Sequence, residues 1–126
     1  MKLQTGTRSI GKVAVIDCHG SIVFGEEITM LRDHVKNVLT GSRQIVLNLA
    51  DVRHIDSTGV GALVGLYTSA RYAGGNLKLA GLTGGVKDVL QLTRLGTILE
   101  TYPSAEEAAE SFKKEAGRTV AAEWAG

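Results

Sequence analysis

The sequence contains very few of the features that mark secreted or membrane-spanning chains. Among its 126 residues there is a single cysteine, Cys18, so an internal disulfide bond cannot form and a reducing compartment is expected. No apolar run approaches the about 18–20 residues that cross a bilayer. No apolar segment follows residues 1–4, as it would in a secretory signal. We therefore expect a cytoplasmic protein that does not enter a membrane.

The sequence also lacks an excess of either charge. Lysine and arginine total 14, aspartate and glutamate total 13, and the formal net charge is +1. A nearly neutral chain creates no overall field that would attract nucleic acid or an anionic membrane, so neither is expected as a partner. The three histidines and Cys18 do not follow a zinc-ligand spacing. We predict no metal and no cofactor.

No set of catalytic residues stands out in the sequence. The glycines from Gly59 to Gly65 only loosely resemble a dinucleotide fingerprint, because a loop is expected before them and the next strand ends in Ala80 rather than in an acid. Segment 81–87 lacks the glycine-lysine-hydroxyl step of a phosphate-binding loop. We predict that the protein is not an enzyme. A small nucleotide-using protein is the remaining enzymatic alternative.

The chain has one proline and only 5% aromatic residues, and its patterned segments alternate between strands and helices with few breaks. Its length corresponds to one domain of about 100–200 residues. Strands separated by helices predict an α/β fold, and the short turn at Gly11 makes the first strand pair antiparallel. We expect one domain over 1–116, with a mixed, mostly parallel sheet of four to five strands and about four helices. A loose tail is expected at 117–126.

Hydrophobic periodicity and turn residues place the individual elements. Strands are expected at 3–10, 13–16, 45–49 and 77–80, with a last short strand at 98–99. Helices are expected from Glu26 onwards, at 57–72, at 83–93 and after Pro103, where Ser104 and Glu107 fit a capping box. Gly20 should end the second strand, and a loop should cover 50–56.

The helix at 57–72 carries the most informative pattern. Its predicted core face contains Val60, Leu63, Val64 and Tyr67. Its opposite face has no long or charged side chain and comprises Thr58, Gly61, Ala62, Gly65, Thr68 and Ser69. An interior glycine costs about 1 kcal/mol relative to alanine, and exposed helix positions normally favour charged residues. This face therefore fits either a neighbouring helix of the same domain or a docked partner protein.

The motif Asp56-Ser57-Thr58-Gly59 stands at the start of this helix. Either Asp56 or Ser57 can cap the helix, and capping alone would explain both residues. A hydroxyl in this position is also suited to a phosphate switch. The first turn of a helix tolerates a phosphate, whereas the added charge would disturb an apolar contact surface beside it.

At these residues the chain resembles the STAS domain of bacterial anti-sigma factor antagonists. The resemblance rests on segment 45–72 with its Asp56-Ser57-Thr58-Gly59 motif, and it extends over about residues 3–115. The resemblance implies a mixed sheet flanked by helices. It also implies that Ser57 is phosphorylated by an anti-sigma factor that is an ATP-dependent serine kinase, with Thr58 as an alternative acceptor. The unphosphorylated form would bind that kinase and free a sigma factor, and a PP2C-type phosphatase would reset it.

The expected partner-binding residues are Asp56, Ser57, Thr58, Gly59, Gly61, Ala62 and Gly65. The chain departs from the family pattern at Asn48 and Val23, where relatives often carry acidic residues. Some relatives act without phosphorylation, as adaptor or scaffold subunits of larger signalling or transport assemblies. That role is the alternative function.

Overall fold

A five-stranded mixed sheet forms the centre of the computed structural model, which describes residues 2–94 and 97–125. The elements are β1 (Leu3–Ile10), β2 (Val13–Ile22), α1 (Glu26–Leu39), β3 (Gln44–Ile55), α2 (Ser57–Tyr72), β4 (Asn76–Ala80), α3 (Gly84–Thr93), β5 (Thr101–Tyr102) and α4 (Ala105–Ala125). The strands follow chain order across the sheet. β1 pairs with β2 antiparallel and the other pairs are parallel. The predicted α/β fold is confirmed.

The two faces of the sheet are covered by different helices. Alternate residues of β3 point to opposite faces, so Ile45 and Leu47 join one apolar core and Val46 joins the other. The larger core contains residues of α1, α2 and α3. The smaller core lies under α4, which contributes mostly alanines and Phe112.

β2 and β3 are both longer than the sequence predicted. β2 continues through Gly20 to Ile22, with an irregular register beside Gly20, which adopts a φ of 119°. A Cβ at Gly20 would overlap the backbone of Lys2, so this glycine permits a close approach of strands rather than ending one. The loop expected at 50–56 is instead the second half of β3, which pairs with β2 as far as Ile55.

Polar residues hid this extension of β3. Val52 and Ile55 are buried, whereas Asp51 before them and Arg53 and His54 between them are exposed. β4 ends at Ala80, opposite Asn48, so the second half of β3 extends beyond its neighbour on that side. A strand segment with a neighbouring strand on one edge only can carry many polar residues, and its sequence then resembles that of a loop.

The C-terminal elements also differ from the prediction. The last strand is Thr101–Tyr102 rather than 98–99, and its neighbour Leu79 donates a backbone hydrogen bond to Glu100. α4 begins as expected, since the Ser104 hydroxyl accepts a hydrogen bond from the Glu107 amide at 3.1 Å. The backbone is helical through residue 125, where a loose tail was expected. Residue 126 lies outside the described residues, and the domain boundary near 116 stays a prediction.

Candidate functional site

The candidate site lies where β2 and β3 end side by side. Ile22 of β2 pairs with Ile55 of β3, and both chains leave the sheet at this point. β3 leads through Asp56 directly into α2, and β2 leads through residues 23–25 into α1. The start of α2 is therefore positioned by the parallel pairing of the two central strands.

Asp56 caps α2 and also holds the neighbouring connection. One carboxylate oxygen, Oδ1, accepts a hydrogen bond from the Gly59 amide at 2.8 Å. The other, Oδ2, accepts a hydrogen bond from the Phe24 amide at 2.9 Å. The sequence left the cap open between Asp56 and Ser57, and the structure assigns it to Asp56. Ser57 is therefore the first residue of the helix.

The hydroxyl-bearing side chains of Ser57 and Thr58 both lie at the surface. The first turn of α2 contains no acidic residue, and the single charged residue of the whole helix, Arg71, lies in its last turn. The backbone amides at the start of a helix favour a negative group in this position. The site is therefore accessible to modification and electrostatically suited to an added phosphate.

The glycines of α2 fall into two classes that the sequence did not separate. A Cβ on Gly59 would overlap the Ile22 carbonyl oxygen and come within 2.8 Å of Ile55 Cγ1, so this position has no room for a side chain. A Cβ on Gly61 or Gly65 would have no neighbour within 4 Å. Gly59 is needed for internal packing, whereas Gly61 and Gly65 are not.

The predicted partner-binding set therefore needs two corrections. Gly59 and Ala62 are buried in the core of the domain, so neither presents a surface to a partner. The error at Ala62 came from the width of the buried face, which also takes in Leu66 and Ala70. A nearly all-apolar helix gives no sharp boundary between its two faces, and only packing shows where the core ends.

The remaining face of α2 is exposed and uncharged. No other described part of the chain packs against Gly61 or Gly65, so the interpretation in which a helix of the same domain covers them is wrong. The hydroxyls of Thr68 and Ser69 donate to the carbonyls of Val64 and Gly65 at 3.0 Å each. Because these hydroxyls are bonded within their own helix, they add little polarity to the face.

Asn48 and Val23, the two positions where this chain departs from the family pattern, lie in different surroundings. Asn48 is on the α4 side of the sheet, where its Nδ2 donates to Asp17 Oδ1 at 2.8 Å and its Oδ1 accepts from the Ala50 amide. Val23 precedes Phe24 in the connection between β2 and α1. Asn48 thus belongs to a polar network of the sheet, on the face opposite to α2.

Other types of site find little support in the part of the chain that the structure describes. That part contains no group of three or more His, Cys, Asp or Glu side chains arranged to hold a metal. Within the same residues, every helix is too short or too polar to cross a bilayer. Burial raises the pKa of the Cys18 thiol to about 12, so the thiol stays protonated and unreactive at neutral pH.

The sequence matches the STAS domain family over residues 5–108. This chain belongs to the STAS domain family. A protein of Thermotoga maritima named "Putative anti-sigma factor antagonist" is 35% identical over 74 residues, which are 59% of this chain and 66% of that protein. The chain thus matches slightly less than two thirds of the length of this curated relative.

Solved structures of anti-sigma factor antagonists share the fold. The crystal structure of a protein from Thermotoga maritima, also named as a "putative anti-sigma factor antagonist", superposes with a TM-score of 0.76 at 27% identity, covering 85% of this chain and 92% of that one. SpoIIAA, an anti-sigma factor antagonist in its unphosphorylated form, gives a TM-score of 0.72 at 19% identity, covering 88% and 97%. The phosphorylated form of SpoIIAA from Bacillus gives 0.64 at 19% identity, covering 86% and 99%. At this identity SpoIIAA shows the fold alone.

Proposed function

We propose that this STAS domain is an anti-sigma factor antagonist whose binding is controlled by phosphorylation of Ser57. The unphosphorylated domain binds an anti-sigma factor that is also a serine kinase, and this binding frees a sigma factor for transcription. A PP2C-type phosphatase restores the binding form. The domain works in the cytoplasm as a binding module and kinase substrate, and it is not an enzyme.

The observation that carries this proposal is the exposed, uncharged face of α2 that begins at Ser57. Gly61 and Gly65 lie on this face with open space where a side chain would be. Each glycine destabilises the helix by about 1 kcal/mol relative to alanine. No close contact within the domain offsets this loss, because the space beside both glycines is open. A partner whose backbone must approach α2 closely would explain why these positions stay without side chains.

The modification step follows from the position of the hydroxyl. Ser57 Oγ attacks the γ-phosphorus of ATP, the bond from that phosphorus to the β–γ bridging oxygen breaks, ADP leaves and the hydroxyl proton is released. The product carries about −1.5 to −2 charges at neutral pH. The amides at the start of α2 accommodate this charge, so the fold is retained. Docking would bury the charge against a partner, which is unfavourable, so the complex dissociates.

The names of the relatives support the coarser part of the proposal, the antagonist role. The curated Thermotoga maritima relative and the Thermotoga maritima crystal structure both carry anti-sigma factor antagonist in their names. SpoIIAA has been solved in an unphosphorylated and a phosphorylated form. In this proposal Ser57, which is exposed at the start of α2, supplies the acceptor hydroxyl, and the neighbouring exposed Thr58 is the alternative acceptor.

Intact mass measurement after incubation with ATP tests the proposal. The probe is an anti-sigma factor with an ATPase-type kinase domain from the same genome. The wild-type chain and Thr58→Ala should each gain one phosphate, and Ser57→Ala should gain none. Calorimetry should show that Ser57→Ala still binds this kinase and that Ser57→Asp binds at least about tenfold more weakly, a difference of about 1.4 kcal/mol.

Two outcomes would contradict the switch at Ser57. Phosphate on Thr58→Ala but also on Ser57→Ala would place the modification elsewhere. A stable complex with a partner in which the wild-type chain never gains a phosphate would favour the alternative function, that of an unphosphorylated adaptor or scaffold subunit.

A further inference from the structure

Phe24 is an exposed aromatic side chain in the three-residue connection between β2 and α1. The side chain is 80% exposed, although aromatic residues normally bury their large apolar surface. Gly25 follows at a φ of 136° and begins α1 without a side-chain hydrogen bond at the cap. The start of α1 therefore adds no side-chain cap that would hold this connection in place.

The start of α2 supplies the contacts that hold it. The Phe24 amide donates to Asp56 Oδ2 at 2.9 Å, while Asp56 Oδ1 accepts from the Gly59 amide. The Ile22 carbonyl oxygen lies so close to Gly59 that a Cβ there would overlap it. Asp56 and Gly59, which lie on either side of Ser57 in the chain, therefore both contact residues 22–24.

The second hydrogen bond of Asp56 is not needed to cap a helix. A cap requires one side-chain oxygen that accepts an amide of the first turn, and Oδ1 does this alone. Asn would serve equally well as a cap, since its carbonyl oxygen accepts in the same way. The carboxylate is distinguished by a second accepting oxygen, and that oxygen holds the Phe24 amide.

We propose that Phe24 is a partner-recognition residue and that Asp56 is a positioning residue, which holds the Phe24 backbone next to the start of α2 so that one partner contacts both Phe24 and Ser57. This inference rests on the proposed function and deepens it, because it adds an apolar anchor in the connection that is hydrogen-bonded to the start of α2. Aromatic anchors commonly dominate protein interfaces, and a fixed backbone lowers the cost of ordering them on binding. Asp56 acts on the partner through Phe24 and not by direct contact.

The positioning step can be tested without any partner. In Asp56→Asn, the amide oxygen still caps Gly59, but the NH₂ group cannot accept from Phe24. Hydrogen exchange measured by NMR should show the Phe24 amide exchanging at least about tenfold faster, because a hydrogen bond to a charged group is lost. Asp51→Asn is the matched control, because this exposed carboxylate of β3 pairs with His19 instead. Phe24 exchange should be unchanged in the control.

The recognition step uses the kinase-type anti-sigma factor that phosphorylates the wild-type chain. Phe24→Ala keeps the backbone amide and removes the ring, and it should weaken binding at least about tenfold. Tyr72→Ala removes another exposed aromatic ring from the far end of α2, about 22 Å from Ser57 along the helix axis. This control should change the affinity by less than about twofold. The double variant Asp56→Asn/Phe24→Ala should bind like Phe24→Ala alone. Without the ring, loss of the hydrogen bond between Asp56 and the Phe24 amide no longer affects the contact with the partner.

The outcomes separate this inference from the proposed function. If the kinase binds Phe24→Ala as tightly as the wild-type chain, the recognition role is wrong while the antagonist function stands. If Phe24 exchange is the same in Asp56→Asn and in the wild-type chain, the positioning role is wrong. If no kinase binds or modifies the wild-type chain, the proposed function fails, and the recognition role fails with it, whatever the exchange data show.

Discussion

The two faces of the sheet are closed by different chemistry. On the face covered by α1, α2 and α3, a large cluster of buried apolar side chains forms the core. On the face covered by α4, the small core is interrupted by Lys78, whose side chain is only 1% exposed, and by the Asp17–Asn48 hydrogen bond. The first face resembles an ordinary core, and the second depends on polar partners that must be matched one by one.

The exposed surfaces of α2 and α4 show the opposite distribution of charge from the two cores beneath them. α4 covers the more polar face and presents charged side chains such as Glu106, Glu110 and Lys113 to solvent. α2 covers the apolar face, yet its exposed side carries Ser57, Thr58, Gly61, Gly65 and Thr68. Both helices are exposed on one side, so solvation alone does not explain why the exposed side of α2 carries no charge before Arg71 in its last turn. The difference supports the assignment of α2, and not α4, to a partner.

Lys78 is the position where the α4 face is most easily broken. Its ammonium group donates to Ser111 Oγ at 2.8 Å and pairs with Glu115 at 2.6 Å and with Glu100 at 3.3 Å. It also lies 4.4 Å from the centre of the Phe112 ring. Burial lowers the pKa of Lys78, but the hydrogen bonds to Glu115 and Glu100 outweigh burial and leave the pKa raised. The ammonium therefore stays charged at neutral pH.

Lys78→Ala should lower the free energy of unfolding by about 3 kcal/mol, because it removes a charge partner and leaves a cavity beneath α4. Urea unfolding measures this loss. Lys78→Met keeps the apolar stem, and the two carboxylates can return to water because they are half-exposed. This variant should lose only about 1 kcal/mol. An equal loss in both variants would show that the charge, and not the packing, carries the stability of this face.

The two classes of glycine in α2 provide the next largest effects, with opposite signs. Gly59→Ala should lower the free energy of unfolding by about 2–3 kcal/mol, because the new methyl group overlaps the Ile22 carbonyl oxygen. Gly61→Ala and Gly65→Ala should each raise it by about 0.5–1 kcal/mol, because alanine favours the helix and the space is open. Thermal and urea unfolding of the three variants provide the comparison.

Binding should not follow stability in these variants. If α2 is a docking surface, Gly61→Ala and Gly65→Ala should be more stable than the wild-type chain and yet bind the kinase more weakly. A gain in stability with unchanged binding would remove these two glycines from the proposed interface. Loss of stability at Gly61 would instead show that something within the domain covers it.

The smallest expected effect concerns the polar network beside β1. Arg8 donates to Asp17 Oδ2 at 2.7 Å, and this hydrogen bond holds the pKa of Asp17 below its usual value. A carboxyl with a lowered pKa in the folded state stabilises the fold above its unfolded pKa and loses this contribution as the pH falls through its folded pKa. Asp17→Asn should therefore reduce the amount by which the free energy of unfolding falls between about pH 6 and about pH 3. The reduction should be a few tenths of a kcal/mol, because this pair is partly exposed.

Urea unfolding at both pH values checks this last prediction. Asp33→Asn, an exposed position on α1, is the control and should leave the difference unchanged. If the free energy of unfolding of Asp17→Asn falls between the two pH values by as much as that of the wild-type chain, other carboxyl groups account for the acid sensitivity of the domain.

Much of the fold could be predicted because its signals are local. The bounds of α2 at Ser57 and Tyr72 were correct, since a cap, a run of apolar residues and Gly74 mark them within the segment itself. The continuation of β3 to Ile55 was missed, because its polar half depends on pairing with β2, which is far away in sequence. Sheet pairing is a non-local interaction, and periodicity within one segment does not report it.

The order of strands and helices, the scarcity of charge on α2 and the position of Ser57 at its start could be read from the amino-acid sequence, because each depends on residues that are neighbours in the chain. The three-dimensional packing was needed to show that Gly59 contacts Ile22 while Gly61 is open, and that Asp56 accepts a hydrogen bond from Phe24. The same is true of Lys78, which is buried between α4 and the sheet. These features arise where separate elements meet, and the space and partners available there are set by packing between distant segments.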